Sequence, residues 1–184
     1  MTMSNWIDNI DKIGECSIDN EDFVAYSDGA YSWAVPVIDW DRRDEHEDYQ
    51  AWCDSSDAVR DVVLCSRIAH AVGVSGIYAS GSATWCPAYD ADDAPRFAVV
   101  YDPSDWGTIA GVGATAEQAQ AQADQWIDEQ IVDEQIDEEP QLSTVCFELT
   151  ESARYWLATH NGEPIRWDRA DDGKLDIEID CREL

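Results

Sequence analysis

Apolar side chains recur at helical spacing at the start of the chain. Trp6, Ile7, Ile10 and Ile13 fall in step with Met3, so a helix capped by Ser4 and stopped by Gly14 is expected. Two aromatic and β-branched runs follow, 23–26 and 31–38, and the Asp28-Gly29 pair between them suits the tight turn of a β-hairpin. After a dense run of charge at 39–48, the chain passes through Tyr49 and Trp52 to Ser56. That serine is the expected cap of a helix carrying Val59, Val62, Val63, Ala69 and Val72 and ending at Gly73.

Segments 76–79, 84–89, 96–101 and 108–110 have strand character and are separated by Gly, Ser, Asp and Pro clusters, most economically as an antiparallel meander. Thr115 and Gln118 make a capping-box pattern. Beyond it Ala119, Ala123, Trp126 and Ile127 line one helix face, and Glu117, Asp124 and Asp128 line the opposite one. From Ile131 the segregation fades as Asp133, Glu134, Asp137 and Glu138 rotate onto the apolar stripe, so the helix is expected to project into solvent or bend before Pro140. The remainder predicts strand 144–149, helix 150–160, strand 165–167, an Asp171-Asp172-Gly173 turn and strand 175–179 with alternating Leu175, Ile177 and Ile179. This order predicts an α+β fold with antiparallel meander sheets and amphipathic helices on one face. A seam at 137–141 would separate an acidic α+β domain, 1–140, from a small β-α-β-β unit, 141–184, with two or three subdomains in all.

Composition changes the picture through charge. The 184 residues carry 40 Asp and Glu against 11 Lys and Arg, a net charge of −29, yet 45% of them are apolar and nine are Trp. A disordered acidic tail is poor in aromatics, so a folded core under an acidic surface is expected. Such a surface repels phosphate backbones and anionic headgroups, which disfavours direct nucleic-acid or membrane binding. The first eleven residues have no basic or apolar run, and no window reaches the roughly 18 apolar residues of a spanning helix, so a cytosolic protein is expected. The six cysteines are dispersed, and reduced, mostly buried thiols are expected.

Candidate chemistry is sparse. His46, His70 and His160 are isolated from cysteine and from one another, so neither a metal nor any cofactor is expected. Cys65 and His70 lie five apart, a poor offset for a nucleophile and base on one helix, and Cys65 is expected to pack in a core. Gly111-Val112-Gly113-Ala114-Thr115-Ala116 fits a dinucleotide-binding turn, but its flanking strands look antiparallel, and a β-to-α turn is the simpler account. Asp168, Asp172, Gly173 and Asp176 fall at EF-hand positions, but Ala170 and Ile179 occupy two ligand places, so a β-turn is expected there. Trp6, Trp33, Trp85, Trp106, Trp126 and Trp156 are expected mostly in cores, an exposed one being a potential interface anchor. No catalytic residue is expected; a small hydrolase or transferase is the remotest alternative.

The acids are concentrated. Residues 115–140 hold nine acidic and no basic side chains, and neither Lys nor Arg occurs between Arg96 and Arg154. A helix there lacks the i, i+4 cations that normally neutralise a solvated acidic face. In duplex DNA, 29 charges span roughly 50 Å, so the scale of charge matches a short DNA segment. In overall character the chain resembles the phage- and plasmid-encoded acidic DNA mimics that block restriction enzymes or CRISPR effector complexes, as anti-restriction or anti-CRISPR inhibitors. That resemblance implies an inhibitor acting in the host cytoplasm on a basic nucleic-acid-binding protein. Locally, Phe97-Ala98-Val99-Val100-Tyr101 and the 111–119 glycine turn and capped helix resemble a unit of HicB-type antitoxins, implying a toxin-neutralising role. Salt adaptation is a further account of two Lys, nine Arg and 26 Asp. The carboxylates expected to carry binding are Glu117, Asp124, Asp128, Glu129, Asp133, Glu134, Asp137 and Glu138, with Asp41, Asp44, Glu45, Glu47 and Asp48 as a second patch.

Overall fold

Asp19 and Asn20 decide how the first unit begins. Both take positive φ, 54° and 69°, which makes them the two central residues of a tight hairpin turn between strands β1 (Asp11–Ile18) and β2 (Glu21–Ser27). The helix expected between Ser4 and Gly14 is therefore replaced by one 3-10 turn, Trp6–Asn9, and a strand; Met3 and Ser4 lie outside the described residues. Local spacing lost to ladder pairing, because from Asp11 onward the chain aligns with β2 from Ser27 back to Glu21. Gly14 stops nothing. It follows a bulge in β1, and a Cβ there would lie 2.9 Å from Cβ of Val72, so the glycine is what lets another element cross the strand closely.

The computed structural model describes residues 6–101, 108–132, 143–159 and 166–178, and the chain divides into two units, Met1–Asp90 and Ala91–Leu184. The expected hairpin at Asp28-Gly29 is present: β2 pairs with β3 (Ser32–Pro36) to complete a three-stranded antiparallel meander. Its β3 arm ends earlier than expected, at Pro36, which has no N–H to extend the ladder, and 37–41 turn into helix α1 (Val37–Asp41). Asp28 is the hub of this turn. Its carboxylate accepts from the backbone N–H of Ala30 and Tyr31, from Trp33 Nε1 and from the Tyr49 hydroxyl, at 2.8–3.2 Å.

Strand β2 has cover on both faces, which is why Phe23, Val24, Ala25 and Tyr26 are buried in succession. Phe23 and Ala25 join a core with Cys65, Ile68 and Ala69 of helix α3 (Val62–Val72), whereas Val24 and Tyr26 pack with Trp40 and with Trp52 of helix α2 (Tyr49–Ser55). Helix α3 starts later than expected. Ser56 closes α2 instead, and 57–61 run extended, with Val59 N–H donating to Ala34 O and Val59 O accepting from Ser80 N–H. The cap is Asp61, whose carboxylate accepts from Leu64 N–H at 2.7 Å; the expected stop at Gly73 holds, with φ 77°. Strands β4 (Gly76–Ala79) and β5 (Thr84–Pro87) form a two-stranded pair.

In the second unit, β6 (Phe97–Tyr101) is the centre of a sheet ordered β7-β6-β8, with β7 spanning Thr108–Gly113 and β8 spanning Thr144–Glu148. Segments 76–101 are thus not one continuous meander. Strand β8, placed by the sequence reading in a separate C-terminal unit, pairs with β6 along its length; the expected boundary at 137–141 lies outside the described residues. One face of the sheet holds helix α4 (Ala116–Val132), and the other packs Ala98, Val100 and Phe147 against Ala153 of helix α5 (Glu151–Thr159) and Leu175. Strands β9 (Arg166–Arg169) and β10 (Leu175–Glu178) make the expected hairpin, with Gly173 at φ 83° in its turn. The protein is α+β, with antiparallel strands in several small sheets. Among the described residues no helix is long and apolar enough to cross a membrane.

Two measurements test these supports. A Cβ at Gly111 would collide with the Ala119 carbonyl oxygen and lie 2.6 Å from Ala123 N, so Gly111→Ala is expected to lower stability by about 3 kcal/mol in denaturant titration. At Asp28, burial pulls the pKa upward, but the hydrogen bonds from Trp33, Tyr31, Ala30 and Tyr49 outweigh it and hold the carboxyl below its ordinary 3.8. Its stabilisation is therefore complete above that value and lost as pH falls through the lowered one. Asp28→Asn is expected to cost about 1–2 kcal/mol at neutral pH and to remove this part of the acid limb of a pH–stability profile.

Candidate functional site

The acidic face of α4 is built from its apolar face. Ala119 and Ala123 are fully buried against Val99 and Ala110, with Trp126 beside them, and Gly111 and Gly113 present bare backbone to the helix. The Gly-x-Gly pair is thereby explained by close packing on an antiparallel strand. The Thr115 cap forms as expected, its Oγ1 accepting from Gln118 N–H, but Gln118 Oε1 reaches one residue further back than a capping box requires and accepts from Ala114 N–H at 3.1 Å. Gln122 Oε1 accepts from Val112 N–H at 2.8 Å and ties the helix to the outer strand.

With that face seated, Glu117, Asp124, Asp128 and Glu129 are all exposed. The first three share one stripe, about 10 Å and then about 6 Å apart along the axis. Where i, i+4 cations would ordinarily stand, the helix has amides: Gln120 Nε2 donates to Asp124 and Gln125 Nε2 to Glu129, at 2.8 and 2.9 Å. An amide orients a carboxylate without cancelling its charge. At the helix start, the backbone N–H of Glu117 and the Thr115 hydroxyl hold the Glu117 carboxyl below its ordinary range. Asp133, Glu134, Asp137 and Glu138 lie outside the described residues.

The second patch rests on the aromatic core of the first unit. Trp52 Nε1 donates to Asp39 O and Trp6 Nε1 to His46 O, at 3.0 and 3.3 Å, so both ends of the 39–46 segment are pinned by indoles. Arg43 turns back over Trp40, its guanidinium carbon 4.4 Å from the ring centroid. Asp41, Asp44, Glu45, Glu47 and Asp48 are exposed, but they are not equivalent. Asp48 caps α2 by accepting from Ala51 N–H at 2.8 Å, and Asp41 borders a groove. Among the described residues no ion pair reaches any of these five carboxylates or the four on α4.

The groove, about 1080 Å³, lies within the first unit between the paired ends of β2 and β3, helix α1 and the extended 57–61 segment. Phe23, Val37, Val59 and Leu64 contribute apolar surface, and Ile38, 57% exposed, stands in it. Ile38 falls at the end of an expected strand; the turn into α1 at Pro36 is what presents it to solvent. No hydropathy signal separates Ile38 from the buried isoleucines, so this feature was not visible before the fold. Trp85 is likewise exposed, at 45%, not core; it packs on Tyr78, whose other neighbours are Trp33 and the exposed Tyr31.

The remaining sequence candidates are not brought together. Cys65 is fully buried, and its hydrogen bond to Cys86, together with burial, pushes the thiol pKa up. His70 is exposed and faces Asp90 at 3.4 Å. Near the β9–β10 turn, Asp176 accepts from the Thr150 hydroxyl at 2.6 Å, tying β10 to the start of α5, and Asp172 accepts from Lys174 N–H at 3.0 Å within the turn. Comparison with protein-family models, curated proteins and solved structures finds no match. Because Cys65 fills core volume, Cys65→Ala is expected to lower stability by about 1–2 kcal/mol in denaturant titration while leaving any binding by the folded protein unchanged.

Proposed function

We propose that this chain is an acidic binding protein that occupies the cationic surface of a nucleic-acid-handling protein and excludes nucleic acid from it. The observation that carries the reading is that all nine described carboxylates of the two patches are exposed and none is neutralised by an ion pair within the described residues. Self-repulsion of this kind destabilises a folded chain, and a cationic partner reverses its sign. On docking, carboxylates displace the same counterions that phosphates displace, so binding falls with salt in the same manner.

The α4 stripe is sparser than the roughly 3.4 Å charge spacing of one DNA strand, so it fills only a few cation sites of a channel. In its most specific form the partner is a defence complex, a restriction enzyme or a CRISPR effector, and the mechanism is steric and electrostatic competition at its DNA channel. No chemical step is required of this chain.

The test is competition. A panel of purified restriction enzymes and CRISPR effector complexes is loaded with labelled duplex DNA, and displacement by this protein is followed by fluorescence anisotropy from about 0.1 M to about 1 M salt. Displacement that weakens with salt is expected from at least one member. Replacing Glu117, Asp124, Asp128 and Glu129 with Lys should raise the competing concentration by about a hundredfold and flatten the salt dependence. Absence of displacement at low salt across the panel, with a melting temperature that keeps climbing toward molar salt, would overturn the proposal in favour of salt adaptation.

A further inference from the structure

The groove beside α1 combines two properties that the acidic patches lack: an apolar floor and a concave shape. Ile38 is one of three large apolar side chains exposed among the described residues, and it stands over Phe23, Val37, Val59 and Leu64. The rim is acidic. Glu21, Asp22, Asp41, Asp57 and Asp61 border it against only Arg42 and Arg60, and no ion pair within the described residues joins these acids to either arginine. Asp61 and Asp22 each spend one oxygen locally, on Leu64 N–H and on the Ser17 hydroxyl, and a carboxylate retains further acceptor sites when it does so.

The volume lies just above the roughly 300–1,000 Å³ typical of small-molecule clefts, which suits a few consecutive side chains of a peptide. A second copy of this chain is a poor occupant, since each carries −29. An anionic or purely apolar ligand meets the wrong rim.

We propose that this groove seats an amphipathic, Lys/Arg-bearing segment of the partner protein, its apolar side chains against Ile38 and the floor and its cations against the rim carboxylates. Helix-in-groove and extended-segment recognition both work in this way, with apolar anchors giving residence and rim charges giving register. The proposal rests on the reading that the partner is basic. It adds that recognition is not electrostatic alone.

The experiment uses the full isotope-labelled chain and two synthetic peptides of equal charge, one alternating Lys with Leu and one alternating Lys with Ser, titrated by NMR. The Lys/Leu peptide is expected to shift resonances of Ile38, Ala58 and Leu64 and to bind more tightly than the Lys/Ser peptide. Ile38→Ser, at an exposed position that folding does not depend on, should weaken the Lys/Leu peptide about tenfold with its salt slope unchanged. Equal binding of both peptides, shifts centred on α4, or indifference to Ile38→Ser would each overturn the proposal. The parent reading fails separately: if DNA competition is absent while the Lys/Leu peptide still seats at Ile38, the groove stands and the nucleic-acid mimicry falls. If competition survives intact in Ile38→Ser, the groove falls and the mimicry stands.

Discussion

The contact on which the acidic face depends is the seating of α4 on bare backbone. Gly111 and Gly113 on the strand let the helix backbone around Ala119 and Ala123 approach directly, and only small side chains, those of Ala110, Ala119 and Ala123, fill the seam beside them. Such close approach maximises dispersion contacts per residue, which matters for a helix of low overall hydrophobicity with no cation in its sequence to offset its carboxylates. Gln122 and Gln118 add hydrogen bonds from the helix to the neighbouring backbone. The fold thus holds a self-repelling helix by packing and neutral hydrogen bonds, and charge remains on the outer face.

The first unit solves the same problem differently. Its central strand is buried on both faces, and the second core is unusually aromatic, with Tyr26, Trp40, Tyr49 and Trp52 in mutual ring contact at 5.1–6.2 Å. Aromatic rings bury large area at low entropic cost. Their polar handles also reach outward: the Trp52 and Trp6 indoles hold the 39–46 segment, and Tyr49 and Trp33 bind Asp28. The acidic patch and the groove beside it are therefore set by one core.

What was legible in the sequence follows from how local each determinant is. The Asp28-Gly29 hairpin, the Thr115/Gln118 cap, the Gly73 stop and the Gly173 turn depend on a few adjacent residues, and all are present. The opening helix failed because Ile10 and Ile13, three apart, suit one helix face, whereas the fold offers an extended chain a separate core for each, and the deciding signal, left-handed backbone at Asp19 and Asn20, carries no glycine to announce it. Ser56 lost to Asp61 because the intervening residues bond to β3 and to Ser80, a pairing between segments distant in sequence. The exposed acids were legible, since carboxylates without partners stay in water. The groove was not, because exposure of Ile38 and burial of other isoleucines differ only in tertiary placement.

Under the proposed function, charge and shape divide the work of recognition. Long-range attraction raises the rate at which a cationic partner arrives, but it orients poorly and is screened within about 10 Å at ordinary ionic strength. A partner held by carboxylates alone would be exchanged for any other cationic surface. Apolar anchorage is short-ranged and insensitive to salt, and its contribution falls on the dissociation rate. A protein that must outcompete nucleic acid needs the second property, because DNA already supplies the first at higher charge density. On the proposed function, the groove around Ile38, bordered by Asp41 of the acidic patch, would hold a protein partner in a way a phosphate backbone cannot.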